Sequence, residues 1–381
     1  MVKDGVKSLV VGFIFSLILC YPQFFYVHKY EIPWSGHNDF SSYHAMVLHP
    51  FQFDIVPIAF SMRQFTIVIA NLIMKTGINF PVQIWFENFS NHGGVFFQRE
   101  VLFSLLLTNF IGVCIAGAVT YMMAARSDVW RRGVISPVGL FALMLLLLSG
   151  NCIYYALSPL TGAWSWVFAP LLFLLSRTRH WLAYICLAFL LVLTVFQREA
   201  LLLVVAGWAV AQIGWPMLLG RSPSRSDILH WLIVLGLAVA AIMLYFLLRT
   251  GYFFTVVDPH AYQWNFQFDD KRHDWLYLFV HYLRQWLIVT AVFRLNVFGV
   301  WLISALLALW FWRDDQALKV ELLSLLTVAA GLLITALLTL NSAPDRVIMV
   351  IAPLYMLSLA RMGARWLQGA VAMRQGSDQT L

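Results

Sequence analysis

Only 11% of the residues in this 381-residue chain are charged, less than half of the roughly 25% that soluble domains carry. So few solvated side chains cannot cover a water-facing surface, which excludes an ordinary soluble globule. Cysteine is scarce as well: Cys20, Cys114, Cys152 and Cys186 show no CxxC spacing, and all lie in or beside apolar runs. A disulfide framework or thiolate metal centre is thereby disfavoured, and small buried apolar groups are expected. No GxxxxGK[ST] or GxGxxG element occurs, which argues against a nucleotide-driven pump or a dinucleotide enzyme. Heptads, fixed-period repeats and low-complexity tracts are missing too.

What the chain has instead is apolar length. Hydrophobic residues make up 61% of it, mean hydropathy is +0.78, and stretches approaching the ~20 residues that cross a bilayer recur from end to end. The expected fold is a single all-α integral membrane domain, 1–381, built as a polytopic helix bundle. Spans fall near 8–28, 101–124, 134–150, 163–176, 180–195, 198–215, 229–249, 295–312, 320–340 and 346–364. Two further apolar segments, about 55–74 and 276–293, each contain an arginine (Arg63, Arg284) and are read as interfacial or re-entrant helices. Lys3 and Lys7 precede the first run with no small-x-small cleavage site after it, the pattern of a retained signal anchor.

Charge then orients the bundle. The N-terminus, the loops around Arg126–Arg132, Arg177–His180, Arg221–Arg225 and Arg313–Lys319, and the C-terminal tail fall on one side. They hold 14 of the 25 Lys and Arg but 7 of the 18 Asp and Glu, so the whole net charge of +7 resides there. Positive charge stays inside, which predicts cytoplasmic termini and explains the basic balance without a nucleic-acid partner. Two large loops, about 29–100 and 250–294, then face outward, with eight of the ten histidines on that side. Loops set on a rigid scaffold carry function, so the working face is expected outside.

The strongest lead is HNDFSSYHAMVLHPFQFDIVPIAFSMR, from His37 to Arg63. Polar groups at that density beside a membrane either satisfy one another or serve a site. Asp39 and Tyr43, four residues apart, share a helix face; His44 follows directly. A partly desolvated carboxylate at Asp39 suits a general base or a divalent-cation ligand. Equally, Asp39 suits the N-cap of a helix starting at Phe40. Beyond Pro50-Phe51, Arg63 either snorkels to the phosphate layer or presents its planar fork to an anionic headgroup. Arg198 and Glu199 interrupt an apolar run from Trp181 to Trp215, where mid-bilayer charge costs roughly 2.5–3.5 kcal/mol per group. They fit an external hairpin, either as a charge pair or as a phosphate ligand with its orienting carboxylate. Asp345 suits a helix N-terminus, whereas Arg346 gains nothing from that dipole and fits an anionic ligand. In the second loop, Asp270, His273 and Asp274 could ligate a metal, and the nearby aromatics suit either sugar stacking or a membrane belt.

Taken together, these features resemble the GT-C superfamily of polytopic membrane glycosyltransferases. The likeness rests on Asp39 and Tyr43, on Pro50, Phe51 and Arg63, on Arg198-Glu199, and on Asp345-Arg346 with Pro353 downstream. These are short motifs spread over nearly the whole chain, and their order and side carry more than any one of them. The resemblance implies inverting transfer of a sugar from a polyprenyl-phosphate-linked donor to a glycan or lipid acceptor. The setting it implies is the external face of a bacterial inner membrane. Asp39 would act as base, alone or with a divalent cation such as Mg or Mn. Arg63, Arg198 and Arg346 would hold the lipid phosphate, with Tyr43, His44, Glu199 and Asp345 beside them. Asn38 stands where the family often has a second acid, and the chain carries no large soluble external domain. Two other classes compete: a lipid-linked-sugar flippase, and a polysaccharide polymerase or ligase of another membrane fold using Lys271, Arg272, His273 and Arg284.

Overall fold

The computed structural model describes residues 2–26, 37–56, 61–78, 98–126, 128, 133, 135–149, 152, 162–253, 280, 296–311, 315–338 and 347–378. Among them there is no strand, and twelve α-helices carry the fold. In chain order these are α1 (Val2–Tyr26), α2 (His37–Leu48), α3 (Gln64–Lys75), α4 (Arg99–Ala125), α5 (Pro137–Leu147) and α6 (Ala163–Ser176). There follow α7 (Trp181–Val195), α8 (Ala200–Leu218), α9 (Arg225–Leu247), α10 (Asn296–Phe311), α11 (Gln316–Leu338) and α12 (Ala352–Asp378).

Each of the ten sequence-derived spans overlaps one of these helices, with bounds that differ most at the last, 346–364 against Ala352–Asp378. Five contain stretches long and apolar enough to cross a membrane: Asp4–Pro22, Glu100–Ala125, Ala200–Leu218, Arg225–Gly251 and Gln316–Ala336. Others are shorter. At 11 residues, α5 rises only about 17 Å, well short of the ~30 Å hydrocarbon core. The outward faces are strongly apolar: Trp181, Ile185 and Phe189 on α7, and Leu229, Met243 and Phe246 on α9, are all exposed. Such surface would drive a water-soluble protein to aggregate. In a bilayer it meets lipid, and the architecture is that of an α-helical membrane protein.

Local chemistry sets the helix ends. Ser136 caps α5 by accepting a hydrogen bond from the Gly139 amide, with Pro137 at the first helical position, where its missing N–H is no loss. Ser224 and Asp227 form a reciprocal capping box that starts α9, satisfying two amides that would otherwise be orphaned.

The bundle is organised around α4, which is apolar all round and almost wholly buried, as such a helix must be. Helix α1 lies antiparallel along it. A Cβ on Gly12 would come within 2.8 Å of the Tyr121 Cβ and 3.0 Å of the Ala118 Cα, and one on Gly117 within 2.3 Å of the Ser16 hydroxyl. Small residues let two backbones approach this closely. Three cysteines are buried as expected (Cys20, Cys114, Cys152), but Cys186 is exposed on α7, on the face that also carries Ile185 and Phe189.

The helices alternate in direction, so the bundle has two ends. At one end Glu321 of α11 is bracketed by Arg177, which ends α6, at 3.6 Å and by Arg361 of α12 at 3.1 Å. Arg365 pairs with Asp315 and Arg179 with Asp227 at the same end. These residues all belong to segments that charge counting puts on one side. Among the described residues of the other set, Arg63, Arg198, Glu199 and Arg249 come together away from this network.

Replacing Gly12 by leucine is expected to lower stability by about 1–3 kcal/mol, because the Ala118 backbone cannot yield. Gly236→Leu on α9, where nothing lies within 4 Å, should stay near wild type. Thermal unfolding in detergent compares the two.

Candidate functional site

Opposite the Glu321 network, the turn between α7 and α8 meets the start of α3. The turn is tight: the Gln197 and Arg198 amides both donate to the Thr194 carbonyl, at 3.1 and 2.9 Å. Glu199 ends it as the cap of α8, with helical backbone angles and no side-chain capping bond. Segment 63–66 docks here. The Phe65 amide donates to the Phe196 carbonyl at 3.1 Å, and the Thr66 hydroxyl donates to the Gln197 side-chain oxygen at 2.8 Å. The Phe65 ring packs against Trp164 and Phe168 of α6, with centroids 5.2 and 5.0 Å apart. Behind it, the buried Asn71 amide donates to the Val47 carbonyl at 2.7 Å, tying α3 to α2.

This docking corrects two expectations. The apolar segment 55–74 is not one helix: a 3-10 turn covers Phe53–Ile55, and α3 begins at Gln64. Arg63 therefore sits at the N-cap position, before the helix rather than on it. Likewise α2 begins at His37, so Asp39 is its third residue and not the cap of a helix starting at Phe40. Position 39 is one turn ahead of Tyr43; the Asp39 side chain lies outside the described residues. Between α2 and α3, Phe51 adopts φ 65°, a left-handed conformation that bulky residues rarely accept. The Gln64 side chain braces this connection, accepting from the Phe51 amide at 3.3 Å and donating to the Ser61 carbonyl at 2.8 Å.

Arg63 then reaches two groups. Its Nη1 donates to the Tyr43 hydroxyl at 2.5 Å, and its charge acts on Glu199. Burial alone pushes the Glu199 carboxyl up, but Arg63, Arg198, the turn's backbone and Arg249 together outweigh it and hold the group below its ordinary range. Opposite charges favour the ionised form. Arg63, Arg198 and Glu199, read from two distant stretches of sequence, thus converge.

Arg249 is the member that sequence reading missed. It follows α9 in a π-helical stretch, Leu248–Phe253, the kind of irregular turn that recurs at functional positions. Its Nη1 donates to the Tyr245 hydroxyl at 2.5 Å, and its guanidinium lies 5.7 Å from that ring's centre. The signal was available: an arginine closing a long apolar helix, with a tyrosine four residues earlier, matches the logic applied to Arg198.

Other sequence candidates fare differently. His44 is buried, and its Nε2 accepts from the Gln98 amide at 2.8 Å. Burial lowers its pKa, so the ring serves as a neutral joint between α2 and the start of α4. Asp345 and Arg346 lie outside the described residues, as do Asp270, His273, Asp274 and most of 276–293. Just past Arg346, the Met349 carbonyl accepts from Trp166 Nε1 at 2.7 Å. That contact is on α6 close to Trp164, hence at the end of the bundle where Arg63 docks. Among the described residues no three His, Cys, Asp or Glu side chains group as metal ligands.

No protein-family model, curated protein or solved structure matches this chain. The chemistry of the site has to be argued from its residues. Among the described residues, three guanidiniums act on one carboxylate, and two tyrosine hydroxyls accept from two of them. Such a cluster can hold an anionic headgroup.

With its folded value depressed, Glu199 contributes stability that is full above the ordinary glutamate range and is lost as pH falls through the lowered value. Glu199→Gln should lower the unfolding midpoint at neutral pH by the equivalent of about 1–3 kcal/mol. It should also flatten the loss on the acid side. Thermal unfolding in detergent from neutral to acid pH tests both.

Proposed function

We propose that this chain is a membrane glycosyltransferase that takes a sugar from a polyprenyl-phosphate-linked donor and passes it to a glycan or lipid acceptor. The site end of the bundle is then the external face of a bacterial inner membrane, with both termini cytoplasmic. The observation that carries this reading is the convergence of Arg63, Arg198 and Arg249 on Glu199, one helical turn and a tyrosine away from Asp39. Support for the orientation comes from the charge asymmetry of the loops.

In this reading the Asp39 carboxylate takes the proton from the acceptor hydroxyl. The acceptor oxygen bonds to the anomeric carbon from the face opposite the phosphate, inverting it. The bond from that carbon to the phosphate oxygen breaks, and its electron pair stays on the phosphate. Guanidiniums at Arg63, Arg198 and Arg249 stabilise the charge that develops there, an electrostatic contribution that usually dominates such catalysis. Glu199 and Tyr43 orient those guanidiniums, and Arg346, outside the described residues, is assigned the same role by its place in the sequence. A divalent cation, if the enzyme uses one, would be held by Asp39 and carboxylates of the external loops.

The test is purified protein in nanodiscs, given an undecaprenyl-phosphate sugar and a candidate acceptor pool, with donor consumption followed. Asp39→Asn should abolish turnover at normal protein abundance. Arg63→Ala and Arg346→Ala should each reduce it by roughly 100-fold. Full activity of Asp39→Asn removes that residue from the chemistry. Movement of a labelled lipid-linked sugar across the bilayer without any acceptor would favour a flippase instead.

A further inference from the structure

The pair Thr66 and Gln197 belongs to no motif, yet it joins the two parts of the site. Both side chains are fully buried, and they come from residues 131 apart in sequence. Their 2.8 Å hydrogen bond lies beside the 3.1 Å backbone bond from Phe65 to Phe196. Three residues before Thr66 is Arg63; one and two residues after Gln197 are Arg198 and Glu199. Short turns of fixed conformation connect each partner to the charged groups. Burial makes the bond selective, because shifting the register by one residue would leave a hydroxyl and an amide oxygen without partners in an apolar interior.

We infer that the Thr66–Gln197 bond is a positioning latch: it sets the register of the Arg63 segment on the α7–α8 turn and so holds Arg63 against Glu199. Neither residue touches substrate in this scheme. Both act through Arg63. The consequence for ligand binding rests on the phosphate reading proposed above; the register itself does not. A structural joint exists for comparison, since Asn71 of α3 donates to the Val47 carbonyl of α2.

Two measurements on full-length protein separate these possibilities. In the first, spin labels on cysteines replacing the exposed Leu72 of α3 and Phe189 of α7, in a Cys186→Ser background, report the register without any ligand. Thr66→Val should broaden or shift the distance distribution, and Thr66→Ser, which keeps the hydroxyl, should restore it. An unchanged distribution in Thr66→Val overturns the inference. In the second, undecaprenyl phosphate is the probe and its affinity is measured in nanodiscs. Thr66→Val should weaken binding by about five- to tenfold, and Thr66→Ser should bind near wild type. The double variant Thr66→Val/Arg63→Ala should be no worse than Arg63→Ala alone, because residues acting through one group are not additive. Additive losses would show that the latch does not work through Arg63 and would also overturn the inference. A shifted register together with wild-type lipid binding by Arg63→Ala would uphold the latch and sink the phosphate reading.

Discussion

A single carboxylate set among three guanidiniums organises the end of the bundle where this protein's candidate site lies. The charges of Arg63 on the α2–α3 connection, Arg198 on the carboxylate's own turn and Arg249 past the end of α9 all favour the ionised Glu199. In a membrane-embedded scaffold, charges of this kind persist only where they satisfy each other or bind something. The cluster also explains why a half-length helix such as α3 sits on the bundle at all. Its buried face carries Gln64, Thr66 and Asn71 beside Ile67 and Ala70, and each of those polar groups has a hydrogen-bonding partner.

The two ends of the bundle use charge differently. At the Glu321 end, arginines pair directly with acids of neighbouring helices, closing α6, α9, α11 and α12 against one another. At the Glu199 end, three guanidiniums act on one carboxylate, and two of them donate to tyrosine hydroxyls. Direct ion pairs brace a fold, whereas several guanidiniums gathered on one carboxylate and two tyrosine hydroxyls suit an anion. The second arrangement is therefore the one assigned chemistry.

Much of the scaffold was legible in the sequence because the signal was apolar length. Spans such as 163–176 and 180–195 match α6 and α7 to within a residue. The hairpin position of Arg198 and Glu199 followed from the cost of placing charge mid-bilayer, and it is where the structure puts them. The start of α3 was not legible, since docking on the α7–α8 turn, which no local pattern encodes, decides where that helix begins. Arg249 was passed over because it closes an apolar run with no acid beside it; its relevant carboxylate is 50 positions upstream. Thr66 and Gln197 look like ordinary polar residues until the fold pairs them. Long-range partners of this kind leave no trace in periodicity or composition.

The central claim is that the Glu199 cluster receives a phosphate. Titrating the Glu199 carboxylate by infrared difference spectroscopy, with its band assigned by loss in Glu199→Gln, tests this most directly. Without ligand the group should ionise below the ordinary glutamate range, and adding undecaprenyl phosphate should move its titration upward, because a second anion beside the same arginines disfavours its charged form. An unshifted titration in saturating lipid phosphate would contradict the account.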